Sequence, residues 1–386
     1  MVRARYQEAQ EEIVYEALQI AQTYTSIMLA ACQQIAQLDV LTTLAMIALK
    51  NDWVKPTLNL EMNDKTFLLK DIRHPLLEER IGSLNLVKND VEISNEKYSC
   101  VISGPNAGGK STYLKTIGLL VILNQIGSFV PCADTSIGPS ISSSSNASPR
   151  HSPLLPIFDR IFFRSGSNDF SNLGISSFML EMVELSEMLR SSSENSLLLI
   201  DELGRGTSTS DGFGLAWALL EELSRGNKST NFIATHFYEL NYLAASSPTT
   251  SDHTSSPSSS SSIHLDQLEY EELRRYSSPA KTSHKLPDHD HDPAHDQGSE
   301  RGNCFRSVHV DAIVSQETRD VTMLYKILPG ASNRSYGINV AKMVDFPPEI
   351  VQQAELIEEL LTQQTNAAAS HRKRKRSDED EGDRER

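Results

Sequence analysis

The run Gly104, Pro105, Asn106, Ala107, Gly108, Gly109, Lys110, Ser111 and Thr112 fits the spacing G-x-x-x-x-G-K-[ST]. Glycines there let the backbone curl until successive N–H groups face phosphate oxygens. A lysine at the position of Lys110 reaches the β and γ phosphates, and a hydroxyl at Ser111 suits Mg²⁺. The plainer reading is a structural glycine turn. A second group lies at Leu197–Glu202, where an apolar run ends in two adjacent carboxylates. Asp201 there would hold Mg²⁺, and Glu202 would orient and deprotonate an attacking water. A capping Asp-Glu pair at a helix start is the alternative. His236 closes the next apolar run and would sense or position a reacting phosphate if strand order brings it alongside; otherwise it is a structural histidine.

These groups need elements to carry them. Cys100–Ile102 reads as a strand leading into the glycine turn, followed by a helix from about Ser111 to Ile126, so that the turn meets the positive end of a helix dipole. Ser196–Ile200 and Asn231–Ala234 read as buried strands, with a helix from Gly214 to Leu223 between them. Strand and helix alternate, which predicts an α/β unit with a mainly parallel sheet. Thr66–Leu69, Val91–Ile93, Val308–Val310 and Thr322–Tyr325 also read as strands. Before them, apolar positions stepping by threes and fours predict one amphipathic helix from Glu8 to about Gln37 and a second from Asp39 to about Lys50. After them, Tyr336 to about Leu361 predicts two short helices split by Pro347 and Pro348.

Composition bounds the rest. The chain has 386 residues, and 36 Lys and Arg against 51 Asp and Glu give a net charge of -15, which argues against a generally basic nucleic-acid-coating protein. No uninterrupted apolar run reaches the ~18 residues of a membrane span, and residues 1–17 lack the apolar core of a signal peptide. A soluble, unsecreted chain is expected. Cys32, Cys100, Cys132 and Cys304 form no CxxC pair, which fits a reducing compartment. Residues 136–153 and 246–303 read as disordered insertions; in the second, ten of the seventeen residues from Ser246 to Ser262 are serine, too polar a run to offset chain entropy by burial. The Asp/His run from Asp288 to Asp296 belongs to that insertion, where nothing holds metal ligands in place.

Taken together, five motifs resemble the ATPase domain of the MutS family of DNA mismatch-repair proteins. They are ISGPNAGGKSTYLK at residues 102–115, QIGSFVP at 125–131, GISSFMLEM at 174–182, LIDELGRGTST at 199–209 and ATHF at 234–237. DGFGLAWA at 211–218 and TMLY at 322–325 look like the eukaryotic member that serves as the shared subunit of mismatch-recognition heterodimers, whereas NRSYGI at 333–338 looks more bacterial. The resemblance implies a P-loop, ABC-type ATPase using ATP and Mg²⁺. It implies that Ser176 reaches the ATP of a partner MutS-family subunit, with Asp169 and the Gly204 to Thr209 loop at the same boundary. It also implies a helical remnant of the core and lever region at 1–56, the ATPase domain at 57–245 and 304–335, a dimerisation element at 336–365 and a tail at 366–386. Mismatched double-stranded DNA would be a partner of the full-length proteins, and a membrane would not.

Three positions depart from the family pattern. Leu86 stands where an aromatic residue usually stacks on adenine, which weakens that contact. Ser177 replaces a usual threonine, and Ala107 a common methionine. Where the family carries mismatch-binding, connector, lever and clamp regions before the ATPase, only a helical stub stands here; either the sequence is truncated or the protein cannot itself contact a mismatch, and the isolated chain is expected to bind ATP but not heteroduplex DNA. The basic cluster Arg372–Arg376 supports a nuclear address. Two further readings stand beside the repair ATPase: a non-catalytic nucleotide-binding dimerisation module, and a meiotic-recombination MutS paralogue.

Overall fold

In chain order the elements are helices α1 (Val2–Thr23) and α2 (Thr25–Lys50), strands β1 (Thr57–Asn59) and β2 (Phe67–Ile72), helix α3 (Pro75–Ile81), strands β3 (Asn89–Ile93) and β4 (Ser99–Ser103), helix α4 (Lys110–Gln125), strands β5 (Leu154–Pro156) and β6 (Ile161–Arg164), helix α5 (Ser177–Ser191), strand β7 (Leu197–Asp201), helix α6 (Thr209–Glu222), strands β8 (Thr230–Thr235), β9 (Phe305–Val314) and β10 (Val321–Pro329), and a short helix at Gly337–Met343. A further helical stretch covers 348–357. The computed structural model describes residues 2–61, 64–134, 152–165, 176–244, 304–314, 321–331, 337–344, 346–357 and 360. Asp169, the Asp/His run and the basic cluster lie outside the described residues, as do nearly all of both expected insertions.

The main sheet has the order β10-β9-β4-β8-β7-β6. From β9 to β6 every pairing is parallel, and only β10 runs antiparallel. The chain is therefore α/β with a mainly parallel sheet. Strands β4, β7 and β8 are buried along their whole length, the texture of parallel strands covered on both faces. Because side chains alternate, each strand feeds two cores. Ile102, Leu199, Phe232 and Ala234 pack with Leu114, Ile117 and Leu120 of α4. Val101, Leu198, Ile200 and Ile233 pack with Leu185 of α5 and with Trp217 and Leu220 of α6 on the other face. Strands β1, β5, β2 and β3 form a second sheet, unforeseen in the sequence, whose Phe67, Leu69 and Val91 join the α4 core.

Five local readings are corrected. The first helical break falls at Tyr24, not near Leu38, so α2 takes in both halves of the expected boundary. Neither helix buries the stripe its spacing promised, and Ala48 is the one buried residue of the pair. Helix α6 starts five residues earlier than the sequence suggested, because the Ser208 hydroxyl accepts from Asp211 N–H and caps it despite two following glycines. Strands β9 and β10 extend well beyond their expected cores. Finally, among the described residues α2 is long and apolar enough to cross a membrane by length and composition, with a mean hydropathy of 1.3. A search for unbroken apolar runs missed it because Gln33, Gln34, Gln37 and Asp39 interrupt its middle. A carboxylate placed centrally would cost about 2.5–3.5 kcal/mol in a bilayer.

Candidate active site

The parallel register brings three strand ends into one row. Ser103 pairs with Thr235, and Asp201 with Ala234, so the loop after β4, the carboxylates after β7 and His236 after β8 leave the same sheet edge. Ligands of open α/β sheets bind at such carboxyl ends. The loop between β4 and α4 passes through left-handed backbone at Ala107 and Gly109 (φ 58° and 97°), while Gly104 has φ 143°. A Cβ at Gly104 would stand 2.9 Å from the Val310 Cβ, so both conformation and space demand glycine. Gly109 precedes α4 without side-chain capping, which leaves the first helical N–H groups to an anion. Lys110 is 4% exposed and its ammonium donates to the carbonyls of Gly104 and Pro105 at 2.7 and 2.9 Å.

Asp201 is buried and its Oδ1 has no hydrogen-bond partner. Burial raises its carboxyl above the ordinary range, with the Ser111 hydroxyl bonding to it in opposition. Glu202 adopts φ 54°, a strained backbone for a long side chain, and its N–H donates to the Ala234 carbonyl at 3.0 Å. That conformation turns its side chain toward β8. Its Oε1 lies 3.3 Å from His236 Nε2, and Arg205 donates to Oε2. Burial alone would raise Glu202, but the bonds from Arg205 and His236 and their charges carry it below the ordinary carboxylate range. His236 is lowered by burial and by the Lys110 charge, against the pull of Glu202, so it is neutral near pH 7. Burial pushes Lys110 down to about 8, opposed by Glu202 and Asp201.

A cleft of about 400 Å³ opens beside the loop. Pro105–Tyr113, Glu202, His74, Leu77, Leu86 and Tyr325 are among the residues that line it, and the Tyr325 ring lies against the loop, 3.4 Å from where a Cβ would stand at Gly109. Leu86 thus lines the same cleft as the phosphate loop. Tyr325 was not foreseen. The β9–β10 register shifts between Met323 and Ile327, and Tyr325 takes φ 53° at that irregularity. Asn89 fixes it there, donating to the Tyr325 carbonyl at 3.0 Å and accepting Ile327 N–H at 2.7 Å. A TMLY strand read at period two gives no sign of the irregularity.

Ser176 lies apart from the cleft lining. Its hydroxyl accepts Met179 N–H at 3.1 Å and caps α5, whose first residue is Ser177. Sequence reading also missed Arg164 and Glu181, buried neighbours whose pairing at 3.3 Å spans seventeen positions. Thr112 lies in the first turn of α4 beside Ser111, and its carbonyl accepts the Thr116 hydroxyl at 2.7 Å.

The donors fit a magnesium triphosphate. An orphaned, buried carboxylate oxygen at Asp201 beside the Ser111 hydroxyl is the sparse, hard-oxygen set that Mg²⁺ uses when phosphates and water complete its shell. No cluster of three or more His, Cys, Asp or Glu occurs among the described residues, so an all-protein metal cage is not built there.

The family described as MutS domain V matches residues 100–271 and 291–362. The DNA mismatch repair protein MSH2 of Zea mays is 32% identical over 353 residues, 91% of this chain and 30% of that protein. MSH2 of Saccharomyces cerevisiae is 31% identical over 365 residues, 92% of this chain and 30% of that protein. The DNA mismatch repair protein MutS of Thermotoga sp. is 30% identical over 357 residues, 92% of this chain and 35% of that protein. The chain thus spans about a third of the length of the curated relatives it matches. With its domain V match over more than half its length, the chain belongs to the MutS family.

Proposed function

We propose that the chain is the ATP-binding and ATP-hydrolysing module of a DNA mismatch-repair protein, in which nucleotide state governs closure of a MutS-family dimer. The observation that carries this is the convergence of the glycine loop, Asp201, Glu202 and His236 on one sheet edge, with Glu202 and His236 3.3 Å apart. The loop N–H groups and Lys110 bind the phosphates, Lys110 exchanging its carbonyl partners for phosphate oxygens. Ser111 and Asp201 hold Mg²⁺, which would neutralise charge on the β and γ phosphates. Glu202 is ionised near neutral pH and accepts a hydrogen bond from the attacking water. As the water oxygen bonds to the γ phosphorus and the bond to the ADP oxygen breaks, the water's proton passes to Glu202. His236, neutral and against Glu202, holds that carboxylate and the water in line.

Adenine lies between Leu86 and Tyr325. Leu86 supplies apolar contact and Tyr325 the π face that the leucine lacks. Residues 1–56 serve as the helical link to the core and lever region, with exposed Ile27, Ile35, Leu38 and Leu41 available for its packing. Residues 57–245 and 304–335 form the ATPase domain, and 336–365 the dimerisation element, through which Ser176 meets the partner's nucleotide. This makes ATP a bridge between subunits: it favours the closed dimer until hydrolysis removes the preference. Arg372–Arg376 directs the protein to the nucleus.

The test is hydrolysis of γ-labelled ATP by the purified chain with Mg²⁺ or with excess chelator. Phosphate release that needs Mg²⁺ supports the reading. Absence of release at any chain concentration, with nucleotide bound, favours the non-catalytic module instead.

A further inference from the structure

The turn that aims Glu202 is gripped from beneath by two buried side chains of opposite charge. Arg164 ends β6 and is 8% exposed. Its guanidinium donates to the Asp201 carbonyl at 3.1 Å and reaches the Glu202 carbonyl at 3.5 Å. It pairs with the Glu181 carboxylate at 3.3 Å and approaches Glu184 at 3.6 Å. Glu181, on α5 and 3% exposed, uses its other oxygen to accept Gly204 N–H at 2.7 Å. The pair therefore holds main-chain groups on both sides of Glu202.

Stability alone is a weak reason for such a pair, since apolar replacements of buried ion pairs are often neutral or stabilising. What the pair does uniquely is geometric. Glu202 sits at φ 54°, a conformation that persists only when its surroundings over-determine it. The Glu202 N–H to Ala234 bond fixes the side toward β8, and Arg164 and Glu181 fix the side toward β6 and α5.

We infer that Arg164 and Glu181 are positioning residues for hydrolysis, holding the Asp201–Gly204 turn so that Glu202 points at the γ-phosphate end of the cleft. The inference rests on the catalytic reading of Glu202. It also ties Glu202 to α5, because a displacement of that helix pulls Gly204 through Glu181. The helix is capped by Ser176, so events at its first turn reach the water-orienting carboxylate without passing through the phosphate loop.

The experiment compares full-chain Arg164→Lys, Glu181→Leu and Glu181→Gln with the wild type and Glu202→Gln. It measures MgATP affinity, single-turnover hydrolysis of bound nucleotide, and amide exchange across residues 202–204. Arg164→Lys and Glu181→Leu are expected to keep affinity within about twofold and to slow hydrolysis of bound ATP by roughly 100-fold. Exchange at the turn rises with them. Glu181→Gln retains an acceptor for Gly204 and falls between these variants and the wild type. Affinity and hydrolysis that decline together, with the rate per bound nucleotide unchanged, would mean a merely structural pair and overturn the inference. Wild-type turnover in Glu202→Gln, or none in the wild type, overturns the reading of Glu202 and the inference with it. That failure is distinguishable because it is seen in samples whose ion pair is intact.

Discussion

The Glu202 carboxylate and the His236 imidazole meet at 3.3 Å although 34 positions separate them, because β8 lies between β4 and β7 in the sheet. Strand order thus places a neutral histidine on the inner side of a carboxylate whose outer oxygen is held by Arg205. A carboxylate clamped from both sides loses rotamer freedom, which is the condition for holding a water in line.

Lys110 gives the account a pH dependence of defined sign. Its amine titrates at about 8, and a bound phosphate chain raises that value. ATP affinity is therefore full below about pH 8 and falls as pH rises through it, with a proton taken up on binding. Calorimetry in buffers of different ionisation enthalpy at pH 8.5 should detect the uptake, and Lys110→Met should abolish both the uptake and the pH dependence.

Tyr325 is expected to matter through its ring and not its hydroxyl. Stacking on a base contributes about 1–3 kcal/mol, so Tyr325→Ala should raise the Kd for ATP by about 5- to 150-fold while Tyr325→Phe stays near wild type. Leu86→Phe should tighten binding. Titration of a fluorescent ATP analogue measures all three, and equal loss in the Ala and Phe variants would remove the ring from the site.

Gly212 and Gly204 approach each other so closely that a Cβ at Gly212 would stand 2.5 Å from the Gly204 carbonyl oxygen. Alanine would gain up to ~1 kcal/mol in helix propensity within α6, but a backbone clash at this distance costs about 1–3 kcal/mol and should win. Gly212→Ala is expected to lower the urea midpoint, and Gly214→Ala, with open space at its Cβ, to leave it unchanged or raise it.

The net charge of -15 offers no broad surface for phosphate contacts. The chain alone should bind ATP yet fail to retain heteroduplex DNA at physiological salt, as read by mobility shift with matched and mismatched duplexes. Mismatch-selective retention would contradict this.

The site's loop and carboxylates were legible because their signal is local. Gly104 and Gly109 are required by single backbone angles, and Asp201 follows directly on a run of fully buried leucines and isoleucine. Strand and helix types for β4, α4, β7 and β8 were readable for the same reason. What remained hidden is non-local or irregular. The meeting of Glu202 with His236 depends on sheet order, Tyr325 on a strand irregularity, and the Arg164–Glu181 pair on packing across three elements. The break at Tyr24 carries neither proline nor glycine, so the period of the apolar residues ran straight through it.

The most direct test of the central claim is Glu202→Gln, with binding and turnover measured on the same sample. The amide keeps the side chain's shape and hydrogen-bonding reach but cannot take the water's proton. MgATP affinity is expected to stay close to wild type while phosphate release slows by about 10²- to 10⁴-fold. Turnover at the wild-type rate would contradict it.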